Sequence, residues 1–159
     1  MAVVTTVAPA HIGNFASLRS LWREKTDIIR YAKPTCAAVV GQLPWLRQVP
    51  RPPKGSLVRV DKEKVFDEVV EEDGLLLVRD GVRAHLDVFG SHFGDCAALA
   101  VTAATYLGIP PEEALKRLNG FTPPPMRMQK LSVGAVLLVL DCYNASPASA
   151  TAAQNRSAA

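Results

Sequence analysis

Ala135–Ser149 reads AVLLVLDCYNASPAS. A run of apolar, strand-forming residues ends in Asp141, passes through the polar turn Cys142-Tyr143-Asn144, and meets Pro147, a residue that can open a helix. This pattern predicts a buried strand that delivers polar groups to one edge of a sheet, where open α/β folds place their ligands. The sequence stops at Ala159, before a following helix or further sheet is complete. It therefore reads as a piece of a longer protein.

Working outward, the N-terminal residues repeat the theme. Ala2–Val7 (AVVTTV) is β-branched and apolar, which predicts a buried strand ending before Pro9. Ala8–Asn14 is a loop carrying His11. Ser17 is placed to cap a helix from about Leu18 to Tyr31. Its apolar positions are Leu18, Leu21, Trp22, Ile28 and Ile29, and the spacing puts Lys25 on the same face. Lys25 fits two readings: a stem packed on that face with its ammonium in water, or an amine held inside a site for its chemistry. Cys36–Val40 (CAAVV) is a second strand, so the unit is βαβ and its strands are expected to run parallel.

The middle of the chain is more broken. Gly41–Gly55 is a proline-studded loop, and Leu57–Val60 and Val65–Val70 read as short strands around a charged turn. Leu75–Val78 and Arg83–Val88 flank Asp80-Gly81, a strong hairpin signal. Alternation in the second arm puts His85 on its wet face. Asp95–Leu107 predicts a helix apolar nearly all round, hence buried on several sides, ending at Gly108. Pro111, Glu112 and Glu113 open a short helix that Lys116 and Arg117 close. Phe121–Pro125 (FTPPP) is a stiff connector of the kind found between domains.

Bulk properties restrict the function classes. The 159 residues include 48% hydrophobic and 21% charged residues, ordinary for a soluble globular chain, with a net charge of only +3. No basic block with interleaved aromatics appears, which argues against nucleic acid as a partner. Cys36, Cys96 and Cys142 form no CxxC pair, which fits a reducing cytoplasm. No apolar run has the length of a membrane span. There is no GxxxxGK[ST], GxGxxG or GxSxG, and His11, His85 and His92 have no ligand-like spacing. Composition and periodicity alone give an α/β chain with a polar strand edge.

Four segments in order resemble the Mur ligase family, MurF type. VTTVAPAHIGNFASLRSLWREK (Val4–Lys25) resembles that family's strand, Pro-x-His loop and helix ending in Ala-Lys. GSHFGDCAALAVTAATYLGI (Gly90–Ile109) is similar to its Gly-x-His turn and alanine-rich helix. LNGFTPPPMRM (Leu118–Met128) matches its Phe-x-Pro-x-x-x-Arg connector, and DCYNASPAS (Asp141–Ser149) is close to its Asp-x-Tyr-Asn-Ala-Asn-Pro-x-Ser. The resemblance implies an incomplete Mur ligase central domain over residues 1–128, P-loop NTPase-like with a mostly parallel sheet but without its P-loop. Residues 129–159 would begin a Rossmann-like C-terminal domain with its first strand and turn.

The resemblance also implies a chemistry. Such ligases phosphorylate a substrate carboxylate with ATP, and an amine attacks the acyl phosphate; the MurF type joins D-alanyl-D-alanine to UDP-muramoyl tripeptide in peptidoglycan precursor synthesis. Carried over, His11 would ligate Mg2+, and Lys25 would be carbamylated and ligate a second Mg2+. Arg127 would reach the nucleotide phosphates and Asp141 would hold the nucleotide, with Tyr143 and Asn144 lining the cleft. For Asp141 a local turn-capping role stands beside that one. The sequence departs from the family at Phe93 and Cys96, where asparagines hold adenine, at Val40-Gly41-Gln42, where an Asn-x-Asp-Asp turn is usual, and at Met126, where the family has Gly. The expectation is a fragment inactive alone; the alternative is a catalytically dead binding or scaffold module. Sheet edges left exposed would allow self-association.

Overall fold

The structure is a computed structural model that describes residues 1–8, 12–41, 48–71 and 74–143. The first layer is a parallel sheet of β1 (Ala2–Val4), β2 (Ala38–Gly41) and β3 (Leu57–Val60), in that order. Ala2 lies opposite Ala38, and Ala38 opposite Leu57. The crossover between β1 and β2 is α1 (Leu18–Arg30), as the βαβ pattern predicts. Its first turn is closed reciprocally: Ser20 N–H donates to Ser17 Oγ at 3.1 Å, and Ser17 N–H to Ser20 Oγ at 3.0 Å.

The buried face of α1 differs from the expected stripe. Leu21, Thr26 and Ile29 are buried, whereas Ile28 and Lys25 are exposed. Thr26 is tolerated there because its hydroxyl donates back to the Trp22 carbonyl at 2.9 Å, so that hydroxyl is not left unpaired. Lys25 stands one position away, about 100° round the helix, and faces water.

Beyond β3 the expected strand over Val65–Val70 is corrected. Asp61 caps a short helix, α2 (Lys62–Val65), by accepting from Glu63 N–H at 3.3 Å, and the strand β4 begins only at Glu68 (Glu68–Glu71). β4, β5 (Leu75–Arg79) and β6 (Val82–Leu86) form an antiparallel meander. Asp80 and Gly81 turn between β5 and β6 with φ of 48° and 75°, the left-handed pair that a two-residue hairpin needs. The Asn119–Phe121 segment runs along β6: Gly120 N–H donates to the His85 carbonyl and Asp87 N–H to the Phe121 carbonyl.

Between the sheets lies α3 (His92–Tyr106), three residues longer at its start than expected. Gly94, Ala97, Ala98, Leu99 and Val101 are buried along it. The small residues let both neighbouring sheets come close, and this helix joins β2, β3, β5, β6 and α4 (Pro111–Lys116) in one core.

The opening stretch forms a strand, β8 (Val136–Leu140), paired antiparallel with β7 (Gln129–Val133), which the sequence pattern did not announce. It is not buried. One face of this two-stranded sheet carries Leu131, Val133, Val136 and Leu138, the last 43% exposed. Its base is tied down where Lys130 Nζ meets Asp87 Oδ1 at 3.1 Å and Cys142 N–H donates to the Met126 carbonyl at 3.1 Å.

Met126 is a point of strain in that base. Its φ is 61°, a region in which a Cβ crowds the following carbonyl. Met126→Gly is expected to stabilise the chain by up to about 1 kcal/mol, raising the melting temperature by about 2–4 °C. A calorimetric scan that shows no rise would contradict the strain.

Candidate functional site

Parallel strands present the ends of their chains on one edge of a sheet, and the cavity lies there. Thr5 and Thr6 follow β1, Gly41 ends β2, and Val60 ends β3 just before Lys62 of α2. The first turns of α3 close the other side with His92, Asp95, Cys96 and Leu99. The enclosed space is about 360 Å³. Its walls are mainly apolar, with hydroxyls, an ammonium, a carboxylate and an imidazole at chosen points, the usual makeup of a small-molecule site.

The charged groups are mutually positioned. Lys62 Nζ lies 3.4 Å from Asp95 Oδ2, bridging α2 to the first turn of α3. The His92 ring rests against Phe93 with centroids 4.5 Å apart and planes tilted by 34°. Partial burial holds the His92 imidazole below its ordinary value, against the pull of Asp141 and Asp95; Lys62 adds to the lowering. Burial likewise pushes the Cys96 thiol up, and the Asp95 carboxylate adds to it. Both side chains are thus favoured in the neutral form.

A stability profile should show this. The unfolded chain takes up the histidine proton at the ordinary value of 6.5, and folded His92 takes it up lower. Acid therefore favours the unfolded state in that window: stability is full above the ordinary value and falls as pH drops toward the folded value. Urea midpoints between pH 8 and pH 5 should decline less in His92→Gln than in the parent. Superimposable profiles would contradict the assignment.

The residues singled out from the sequence divide into three groups. Arg127, Asp141 and Tyr143 come together at the base of the β7–β8 hairpin. The Arg127 guanidinium sits 4.5 Å over the Tyr143 ring, and Tyr143 N–H donates to the Met126 carbonyl at 3.2 Å. Asp141 acts on His92 across the gap to α3. Lys25 stands apart, exposed on α1 rather than packed in an apolar stripe. His11 and Asn144 lie outside the described residues. Among the described residues, no three His, Cys, Asp or Glu side chains gather as a metal cluster. No helix among them is long and apolar enough to cross a membrane.

Thr5, Thr6, Lys62, His92 and Asp95 were not singled out as site residues from the sequence. His92 had a signal, the Gly90-Ser91-His92 turn opening a buried helix. Lys62 and Asp95 had none, because their pairing spans 33 residues.

No family model matches the chain. It is 28% identical over 159 residues to the UDP-N-acetylmuramoyl-tripeptide–D-alanyl-D-alanine ligase of Bacillus subtilis (strain 168), covering 96% of this chain and 35% of the relative. The ligase of the same name from Treponema pallidum (strain Nichols) is 26% identical over 156 residues, covering 96% and 34%. Among solved structures, MurF from Acinetobacter baumannii superposes with a TM-score of 0.81 at 23% identity, covering 96% of this chain and 36% of that one. The MurF ligase of Thermotoga maritima in complex with ADP gives 0.79 at 25% identity, covering 97% and 38%. The chain spans about a third of the length of the curated relatives it matches.

Proposed function

We propose, from the resemblance of this chain to MurF-type Mur ligases in sequence and fold along nearly its whole length, that it carries part of an ATP-dependent acid–amino-acid ligase of peptidoglycan precursor synthesis. The reaction is the joining of D-alanyl-D-alanine to UDP-muramoyl tripeptide through an acyl phosphate, in the cytoplasm. Residues 1–128 belong to the central domain and residues 129–159 begin the C-terminal one. The observation that carries the reading is the cavity where β1, β2 and β3 end against α3, in a chain whose relative from Thermotoga maritima was solved with ADP.

The residues at hand suit a nucleotide. Lys62 supplies a cation and Thr5 and Thr6 hydroxyls, while the apolar wall formed with Val60 and Leu99 suits a base or ribose. Arg127, Asp141 and Tyr143 contact the nucleotide from the hairpin base; Asn144, outside the described residues, is assigned to the same contact by the resemblance alone. Mg2+ is different: the described residues offer it no cluster of ligands. Lys25, exposed on α1, is open to CO2, but its carbamate would need ligand partners beyond these, His11 among them. No step is therefore routed through the metal.

The test is a chimera. The matched third of the Bacillus subtilis relative is replaced by this chain, and ADP release is measured with UDP-muramoyl tripeptide, with and without D-alanyl-D-alanine. The chimera is expected to release ADP in a D-alanyl-D-alanine-dependent way, and the 159-residue chain alone is expected not to. A folded chimera that binds ATP but never ligates would defeat the proposal.

One observation favours a second reading, a scaffold module that pairs with another chain or a second copy. The exposed apolar face of Leu131, Val133, Val136 and Leu138 has no partner among the described residues. Light scattering on the purified chain tests it: a monomer at high concentration argues against pairing between copies.

A further inference from the structure

Arg127 sits between two residues of unusual backbone. Met126 and Met128 have φ of 61° and 51°, two of the three left-handed non-glycine positions among the described residues. Such conformations cost energy and persist only where the surroundings hold them, so a pair around one side chain means that its neighbours fix its direction. Met128 is 5% exposed and anchors one end of this turn in the protein. At the other end the Met126 carbonyl accepts from two donors, Cys142 N–H at 3.1 Å and Tyr143 N–H at 3.2 Å. Met126 N–H donates to Gln129 Oε1 at 3.1 Å, and Arg127 N–H to the Pro124 carbonyl at 3.2 Å. These bonds staple the connector to the residues that follow β8. They bring the Arg127 guanidinium carbon 4.5 Å from the centre of the Tyr143 ring.

An aromatic face holds a guanidinium differently from a carboxylate. A carboxylate takes up N–H donors and cancels the charge, whereas a ring attracts the cation without offering it an oxygen. The planar fork of N–H groups then stays open, and that fork takes two oxygens of a phosphate at once. Among the described residues Arg127 forms no ion pair and its guanidinium donates no hydrogen bond, so the Tyr143 ring is the group that orients it.

We propose that Tyr143 is a positioning residue for Arg127: its ring, stapled to the Met126 carbonyl, holds the guanidinium ready to grip two oxygens of a polyphosphate. The inference rests on the nucleotide reading given above and deepens it, because it gives the Tyr143 ring a part played through Arg127. The Tyr143 hydroxyl has no share in that part.

The experiment is proton–nitrogen NMR on the full 159-residue chain labelled at arginine, titrated with inorganic tripolyphosphate and with ATP, with affinities read by calorimetry. The Arg127 Nε–Hε signal, identified by its loss in Arg127→Gln, is expected upfield of the other arginines through the ring current of Tyr143, and either probe should move it. Tyr143→Leu should return the signal to the range of the other arginines and weaken tripolyphosphate binding by about threefold to fivefold. Tyr143→Phe, which keeps the ring, should restore both the signal and the affinity. Arg127→Gln should weaken binding by about tenfold, and Tyr143→Leu added to it should cost nothing further, because one residue acts through the other. Three results each overturn the inference and leave the nucleotide reading standing: ATP binding with an unmoved Arg127 signal, a Tyr143→Phe chain as weak as Tyr143→Leu, or a Tyr143→Leu effect of the same size with and without Arg127. Binding of neither probe overturns the nucleotide reading with it.

Discussion

Gly55→Ala is expected to destabilise the chain by about 3 kcal/mol or more, enough to leave a marginal domain largely unfolded. A Cβ at Gly55 would lie 1.9 Å from the Cys36 carbonyl oxygen and 2.8 Å from its carbon. Both atoms are backbone, so no rotamer change relieves the overlap. The surroundings cannot slide either. Lys54 N–H donates to the Pro34 carbonyl at 2.9 Å and Ala38 N–H to the Ser56 carbonyl at 2.8 Å, which locks the start of β2 against the start of β3. Relief would require parting the two strands whose far ends frame the cavity. In urea the midpoint should fall by about 1–2 M. An unchanged midpoint would mean that the close approach of Gly55 to Cys36 is not present in solution.

Leu77→Ala is the second large effect, expected to cost about 3 kcal/mol. Leu77 is 0% exposed at the centre of the meander, opposite Val69 of β4 and Ala84 of β6. It belongs to the core that also holds Ala97, Ala98 and Leu99 of α3. Truncation leaves a void on the sheet that supports α3, and close-packed neighbours collapse only partly into it. Because α3 carries His92 and Asp95, the nucleotide binding proposed above is expected to weaken along with the urea midpoint. A midpoint within about 0.3 M of the parent would show that the meander is not packed as described.

Much of the architecture was legible because it is decided over a few residues. Ser17 caps α1 as read, since a hydroxyl and an N–H three positions on meet in any helix of this hand. Asp80-Gly81 turns the hairpin as read, because both positions need positive φ and these residues bear it. The β1–α1–β2 crossover follows from two apolar runs separated by one helix. The misreadings share a cause. The spacing of Leu21, Trp22 and Ile29 puts Lys25 in an apolar stripe, yet Thr26 takes the buried position once its hydroxyl is paired within the helix. The apolar character of Val65 points to a strand, while the Asp61 cap one turn earlier makes it the end of a helix.

What the sequence by itself determined is therefore the local grammar of this chain: its caps, its two-residue turn, the parallel pairing of β1 with β2, and the strand character of VLLVL. Periodicity and φ preferences act over a turn or a strand, so they can be read without knowing the neighbours. Only the tertiary structure decided which groups share the cavity. Lys62 meets Asp95 across 33 residues and Lys130 meets Asp87 across 43, distances over which no pattern in the sequence points from one partner to the other. It also decided that β8 stands exposed, since burial depends on what packs against a strand, and its apolar residues are the same in either case.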